Sequence, residues 1–503
     1  MKKLGLEMEM VVADGETGAS HCVRQGYFQA LARRKAARGQ ATQAKQAGGR
    51  VVALLGTHGE SGLDNAFNHL ESALGPVPGG PGGLARLQAR MRDELADVID
   101  ALGEEGAVLL NVSEHPDCPL DEAFYRAARA PKPIYDYWVG QRGWSHRVGI
   151  DAKAQNGPTT SVPLHQAAQA LNVVLALAPA SIALFANSPL EGGRATGLKE
   201  NRLSIWPRMF ATSRHACDER LSRTPGQPYA DLGDYFRRAY GPGTVMHTVP
   251  CGQDGDYKAS ARTARAHGDP SLLEFLAAPQ WQGTACGSGQ AVTLRPSAAH
   301  FEHMQFSPFL DARFRFRFGT LPEVPALLRA LQAPQGLEAL MAAHGAEGYI
   351  EGRMPGANFV DAALLQEAGP ERAAHVTLSA AAIQAGLLAR LDDAQALVRQ
   401  WGWQRLLGLR QAAIAQALHA PEVHALAGEV LAVAAQGLDA QDRHRLDYVR
   451  WVWENRRTGA DRTLECWSAS RGTPAQRLRA LAAQRTVLHP RLWAACGEAM
   501  ELG

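Results

Sequence analysis

At 503 residues the chain is too long for one ordinary core, and 46% hydrophobic with 20% charged residues is globular-protein composition. A formal charge of +2 leaves no electrostatic footprint for nucleic acid or a membrane surface. The start, Met1-Lys2-Lys3-Leu4, lacks the apolar centre of a signal peptide, and no apolar run is long enough to span a bilayer. Seven cysteines, with no C-x-x-C pair, read as free thiols of a reducing compartment, so a cytoplasmic location is expected.

Leu4 to Val12 alternates as a strand does, with Leu6, Met8 and Met10 on one face and Glu7 and Glu9 on the other. Neighbouring carboxylates repel unless a cation lies between them, and Mg²⁺ takes carboxylate and phosphate oxygens together. A solvated acidic face is the plainer explanation. Residues 24–50 read as a basic, Ala/Gln-rich helix with a flexible end. Val51 to Leu55 is a short apolar strand that runs into a glycine-punctuated loop, Gly56 to Gly62. The spacing of Phe67, Leu70 and Leu74 predicts a helix from near Leu63. Pro76 to Pro81 breaks the chain, Leu84 to Leu102 is an amphipathic helix, and Ala107 to Val112 is a strand.

Gly149 to Gly157, taken as a strand, sets Asp151, Lys153 and Gln155 on one face. Leu164 to Leu184 predicts an apolar, deeply buried helix broken at Pro179. It delivers the chain to the loop Phe185-Ala186-Asn187-Ser188-Pro189 through Gly197, ahead of Lys199, Arg202 and Trp206. A long polar loop leaving a buried helix is where function tends to sit. His300 and His303 suggest a metal but lack the H-E-x-x-H pattern. Arg313, Arg315 and Arg317 alternate with phenylalanines, and guanidiniums so spaced suit a polyphosphate or a carboxylate. Gly348 to Arg353 is a further strand with Glu351 and Arg353 on one side. Past about residue 370 alanine and leucine take over and strand signals vanish, which divides the chain into 1–370 and an all-helical 371–503. The sequence contains no P-loop, dinucleotide fingerprint or nucleophile elbow.

Three motifs resemble, in their order, those of the glutamate–cysteine ligases of the plant-type and related bacterial branch. They are Gly5-Leu6-Glu7-Met8-Glu9; Phe185 to Pro189 with Thr196-Gly197, Arg202 and Ile205-Trp206; and Tyr349-Ile350-Glu351-Gly352-Arg353. The resemblance implies a glutamine-synthetase-like α+β fold: a curved, mostly antiparallel β-sheet funnel with surrounding helices and a helical C-terminal part. It implies an ATP- and Mg²⁺-dependent, ADP-forming ligase. The γ-phosphoryl group passes to the side-chain carboxylate of glutamate, and the amine of cysteine then attacks the acyl phosphate, giving the γ-glutamylcysteine of glutathione biosynthesis.

By that resemblance Glu7, Glu9, Glu60 and Glu351 are expected metal ligands, with Glu9, Glu351 and Arg353 catalytic. Arg353, Arg315, Arg317 and Lys199 are the candidates for the nucleotide. Arg202, Asp151, Lys153, Gln155, Asn187 and Trp206 are those for the amino-acid substrates. An acidic residue of the family pattern has no counterpart at Leu54 and Leu55. The alternatives are a related carboxylate–amine ligase with a different amine or acid, a phosphotransferase, a hydrolase centred on His300 and His303, and a binding protein without turnover. In the leading case the partners are small molecules, with neither nucleic acid nor membrane involved.

Overall fold

The structure, a computed structural model, describes residues 2–149, 154–251 and 263–493. Its centre is an antiparallel sheet of nine strands: β1 (Lys3–Asp14), β2 (Thr42–Ala47), β3 (Arg50–Gly56), β4 (Gly59–Leu63), β5 (His69–Pro78), β6 (Ala107–Leu110), β7 (Asn156–Ser161), β8 (Ala312–Arg317) and β9 (Glu347–Gly352). The order is β8-β9-β7-β1-β5-β4-β3-β2, with β6 pairing the far end of β1. Helices pack about this sheet, and the chain past residue 353 is helical throughout its described elements. This is the expected α+β architecture.

β1 sits at the middle because its two faces are chemically opposite. Leu6, Met8 and Met10 are buried against the core, and the helix Gly83–Gly103 lies beneath with Leu84, Leu87, Met91, Leu95 and Val98 in one apolar stripe. The same lower face holds a buried ion pair, Lys35 with Glu94, and the Ser61 and Ser72 hydroxyls donate to Glu94.

Several sequence expectations need correction here. Residues 42–47, expected as a flexible helix end, form β2 and pair with β3. The glycine-rich stretch is a tight hairpin, and Gly59–Leu63 is strand rather than loop. No helix begins at Leu63; a turn leads into β5. A spacing of four between Leu70 and Leu74 satisfies the helical period and also the strand period of two. In β5, Leu70, Ser72 and Leu74 are buried while Glu71 and Ala73 turn to the opposite face. Asp151 and Lys153 lie outside the described residues, and β7 starts only at Asn156.

The apolar stretch is two helices, Ala167–Ala176 and Ala178–Leu184, bent by 48° with Pro179 at the start of the second. Among the described residues no single helix is long and apolar enough to cross a membrane. Helices Trp403–Gln416 and Pro421–Gly437 pack on Ala178–Leu184, so one apolar core continues across residue 370. The helices Ser379–Ala389 and Pro421–Gly437 touch backbone to backbone. A Cβ on Gly386 would lie 2.2 Å from the Ala434 carbonyl oxygen, which leaves room for glycine alone.

Candidate active site

Directly opposed residues of an antiparallel pair share one face of the sheet. Glu9 opposes Glu71 of β5, and Glu7 opposes Gly157 of β7. Two strands further along that face, Glu351 opposes Thr159 on one side and Arg313 on the other. The upper face therefore runs from carboxylates on β5 and β1 to guanidiniums on β8. It borders a cavity of about 170 Å³. Glu7, Glu9, Asp64 and Glu71 line one part, and Arg202, Arg313, Arg315 and Arg353 another. Tyr135, Trp138, Trp206, Phe306 and Phe309 make an aromatic wall. A second chamber of about 400 Å³ shares Glu7 and Arg315 with the first and continues over Gly5, Thr159 and Tyr349 to Arg317.

Each functional group is held by a neighbour. Gln155 Nε2 donates to Glu9 Oε1 at 3.1 Å, while the Glu9 backbone N–H donates to the Gln155 carbonyl at 2.8 Å. Asp64 sits on a turn whose backbone carbonyl accepts from Lys132 Nζ and Tyr135 Oη. Arg202 is anchored by the motif that precedes it. The backbone N–H of Asn187 donates to Glu200 Oε2 at 2.7 Å, and Arg202 Nε donates to Glu200 Oε1 at 2.8 Å. Arg202 Nη2 then donates to the Met354 carbonyl at 2.7 Å, tying that corner to the end of β9. The aromatic wall is packed ring on ring, with Trp206 and Phe309 centroids 4.7 Å apart.

Burial pushes the Glu9 carboxyl well above the usual carboxylate range, and Asp64 and Glu71 add to the rise; Arg353 and Arg202 only partly oppose it. Glu7 is raised by burial first and then by the charges of Glu351 and Glu71. Glu351 behaves oppositely. Burial works against its ionisation, but Arg313, Arg353 and Arg315 together outweigh burial and hold it low. Arg313 Nε and Nη2 contact its two oxygens at 2.9 and 2.8 Å, and Arg353 Nη1 donates to it at 2.9 Å.

Of the residues singled out from sequence, the structure brings Glu7, Glu9, Gln155, Arg202, Trp206, Arg313, Arg315 and Arg353 to the inner cavity. The others among the described residues lie elsewhere. Glu351 is not among the lining residues, and Arg313 and Arg353 engage its oxygens. Glu60 is out on the β2–β4 side of the sheet, 3.2 Å from Lys45. Lys199 pairs with Asp461 at 2.5 Å, and Arg317 lines the outer chamber. Asn187 is buried; its Nδ2 donates to the Asn111 and Ala357 carbonyls, and its Oδ1 accepts from Arg485. His300 Nδ1 accepts from the Ser297 backbone N–H, a helix cap. The sequence reading missed Asp64, Glu71 and most of the aromatic wall. Glu71 was visible as the polar member of an alternating run once that run is taken as strand.

Mg²⁺ commonly uses one or two carboxylates and completes its shell with water and phosphate oxygens. Glu7, Glu9, Asp64 and Glu71 offer hard oxygen donors only, and the buried Oε2 of Glu9 has no hydrogen-bond partner, so the donor set fits such an ion. Among the described residues no three His, Cys, Asp or Glu side chains already converge on one metal position, which leaves the remaining donors to phosphate and water.

A buried face that opposes carboxylates to guanidiniums has the charges to hold an anion together with a cation. The comparison with known families is more specific: residues 3–223 match the family model of glutamate–cysteine ligase family 2 (GCS2). The likeness read from the first two motifs thus holds over β1 to β7 and the Arg202–Trp206 corner, and the third, Tyr349 to Arg353, lies beyond the matched residues. No curated protein matches. Among solved structures, a glutamate–cysteine ligase (gshA) from Francisella tularensis in complex with AMP aligns over 90% of this chain and 98% of its own, at 12% identity and a TM-score of 0.28. Similarity of that degree fixes neither fold nor site.

Proposed function

We propose that the chain is an ATP-dependent carboxylate–amine ligase that joins glutamate to cysteine as γ-glutamylcysteine, with its chemistry in the cavity on β1. The observation that carries this reading is the convergence of Glu7, Glu9, Asp64 and Glu71 with Arg202, Arg313, Arg315 and Arg353 on one cavity, within a chain that matches the ligase family over residues 3–223. Arg202, held by Glu200 and lining the cavity, would supply the positive charge for a substrate carboxylate. Arg315 and Arg353 supply positive charge where the transferring phosphoryl group spreads its own. Mg²⁺ held by Glu9 with Glu7, Asp64 or Glu71 would neutralise the polyphosphate. The aromatic wall keeps water from the acyl phosphate and gives a thiol ring edges to lie against, a contact of about 0.3–1.5 kcal/mol. No nucleophilic side chain is required, because an acyl phosphate already reacts with an amine.

The outer chamber, with Arg317 at its far side, offers the nucleotide a path that meets the inner cavity between Glu7 and Arg315. Catalysis belongs to residues 1–370, and 371–503 buttress it. One buttress is direct: Arg410 grips Asp311, whose carbonyl accepts the Arg353 backbone N–H at 2.9 Å. A cytoplasmic setting accords with six free cysteines among the described residues.

The aromatic wall also favours a second reading, in which the same chemistry uses an amine with another apolar side chain. ADP release with glutamate across a panel of amines, with mass spectrometry of the product, separates the two. ADP formed in step with γ-glutamylcysteine supports the first, and a different amide selects the second. No ADP with any amine removes both.

A further inference from the structure

A separate cavity of about 340 Å³ lies across the segment 306–311 from the candidate active site. Phe306 and Phe309 line the active cavity, whereas Pro308 and Leu310 line this one, so a single stretch of chain forms the wall between them. The size lies within the usual range of small-molecule sites, about 300–1,000 Å³. Leu221, Tyr229, Val245 and Leu310 are among its apolar lining, and the helix Leu232–Tyr240 closes one side with Ala239.

The charge lining it is one-sided. Asp218 is its one acidic lining residue, and that carboxylate is fully buried and consumed: Arg142 Nε donates at 2.8 Å, and Trp144 Nε1 and Ser213 Oγ donate at 2.6 Å each. Arg220, Arg223, Arg237 and Arg238 also line the cavity. The carboxylates that pair with three of them, Glu219, Asp231 and Asp234, are not among the lining residues. Arg220 forms no ion pair among the described residues. An apolar floor beside Arg220, the one of these four guanidiniums without an ion pair among the described residues, disfavours a cation, and it gives a bare phosphate nothing to bind below its charge.

We propose that this cavity is a second ligand site, for a small amphipathic monoanion: an aromatic or branched aliphatic body bearing one carboxylate or sulfonate. The apolar body fills the floor and the acid group meets Arg220. The test is a fluorescence titration of the full chain with 8-anilinonaphthalene-1-sulfonate, which needs no turnover and so stands apart from the ligase proposal. The expected result is one saturable site that Arg220→Glu weakens about tenfold or more with an unchanged melting temperature. Ala239→Trp, which fills the cavity, should abolish binding, while Leu321→Ser at an exposed leucine elsewhere should leave it intact. Non-saturable binding, or a site indifferent to Arg220→Glu, overturns the proposal even if Ala239→Trp does not fold.

Discussion

Glu9 is a carboxylate that the fold keeps out of water with one oxygen hydrogen-bonded to Gln155 and the other without a partner. Its raised pKa, and that of Glu7, mean that the metal-free folded state binds protons that the unfolded chain has already lost. Stability from these groups is full below the ordinary carboxylate pKa and is lost as pH rises through the folded-state values. In chelator, the melting temperature should therefore fall between about pH 4.5 and about pH 8, the window set by Glu7. Glu9→Gln, neutral throughout, should shrink that fall, and Mg²⁺ should raise the melting temperature more at the alkaline end because it binds the ionised carboxylates. Calorimetry with and without Mg²⁺ measures all three. The same variant should lower ADP release by about a hundredfold or more while remaining folded; turnover at the wild-type rate would take Glu9 out of the metal set.

The corner between the loop 185–197 and β9 acts as one unit. Asn187 holds Glu200 through its backbone N–H, Glu200 holds Arg202, and Arg202 reaches the Met354 carbonyl. Arg202→Ala should raise the KM for glutamate about tenfold or more, and an unchanged KM for both amino acids would refute its role. The corner depends on a remote glycine as well. A Cβ on Gly459 would lie 2.4 Å from Asn187 Oδ1, so Gly459→Ala forces the asparagine to move. The expected cost is about 1–3 kcal/mol, read from the urea midpoint, together with a KM for glutamate that rises more than kcat falls.

Across the whole molecule the helical region is stitched to the sheet by buried polar groups. Arg485 pairs with Asp361 at 2.8 Å, both fully buried, and donates to the Asn111 carbonyl and to Asn187. Gln384 caps three acceptors on β7 and β9: the Pro158 and Ile350 carbonyls and the Thr160 hydroxyl. Removing one partner of such a pair leaves a buried charge behind, so Arg485→Met should cost about 3–5 kcal/mol. Circular dichroism and tryptophan fluorescence should follow one coincident urea transition, as expected for a shared core. Two resolved transitions would mean that residues 371–503 fold apart from the rest.

Alternation of side chains along a single strand is local, and so the acidic face of β1 and the arginine face of β8 were legible in the amino-acid order alone. The bent apolar helix was legible for the same reason, as were the motifs that carry the family likeness. Residues 63–74 were misread because a spacing of four fits both periods, and Glu71 went with them. Which charged groups meet was decided only by register: β5 sets Glu71 opposite Glu9, while β8 sets Arg313 opposite Glu351, which pairs with that guanidinium and with Arg353. The aromatic wall came from packing that joins residues 135 to 309. Register and packing are contacts between distant stretches of chain, and no local period encodes them.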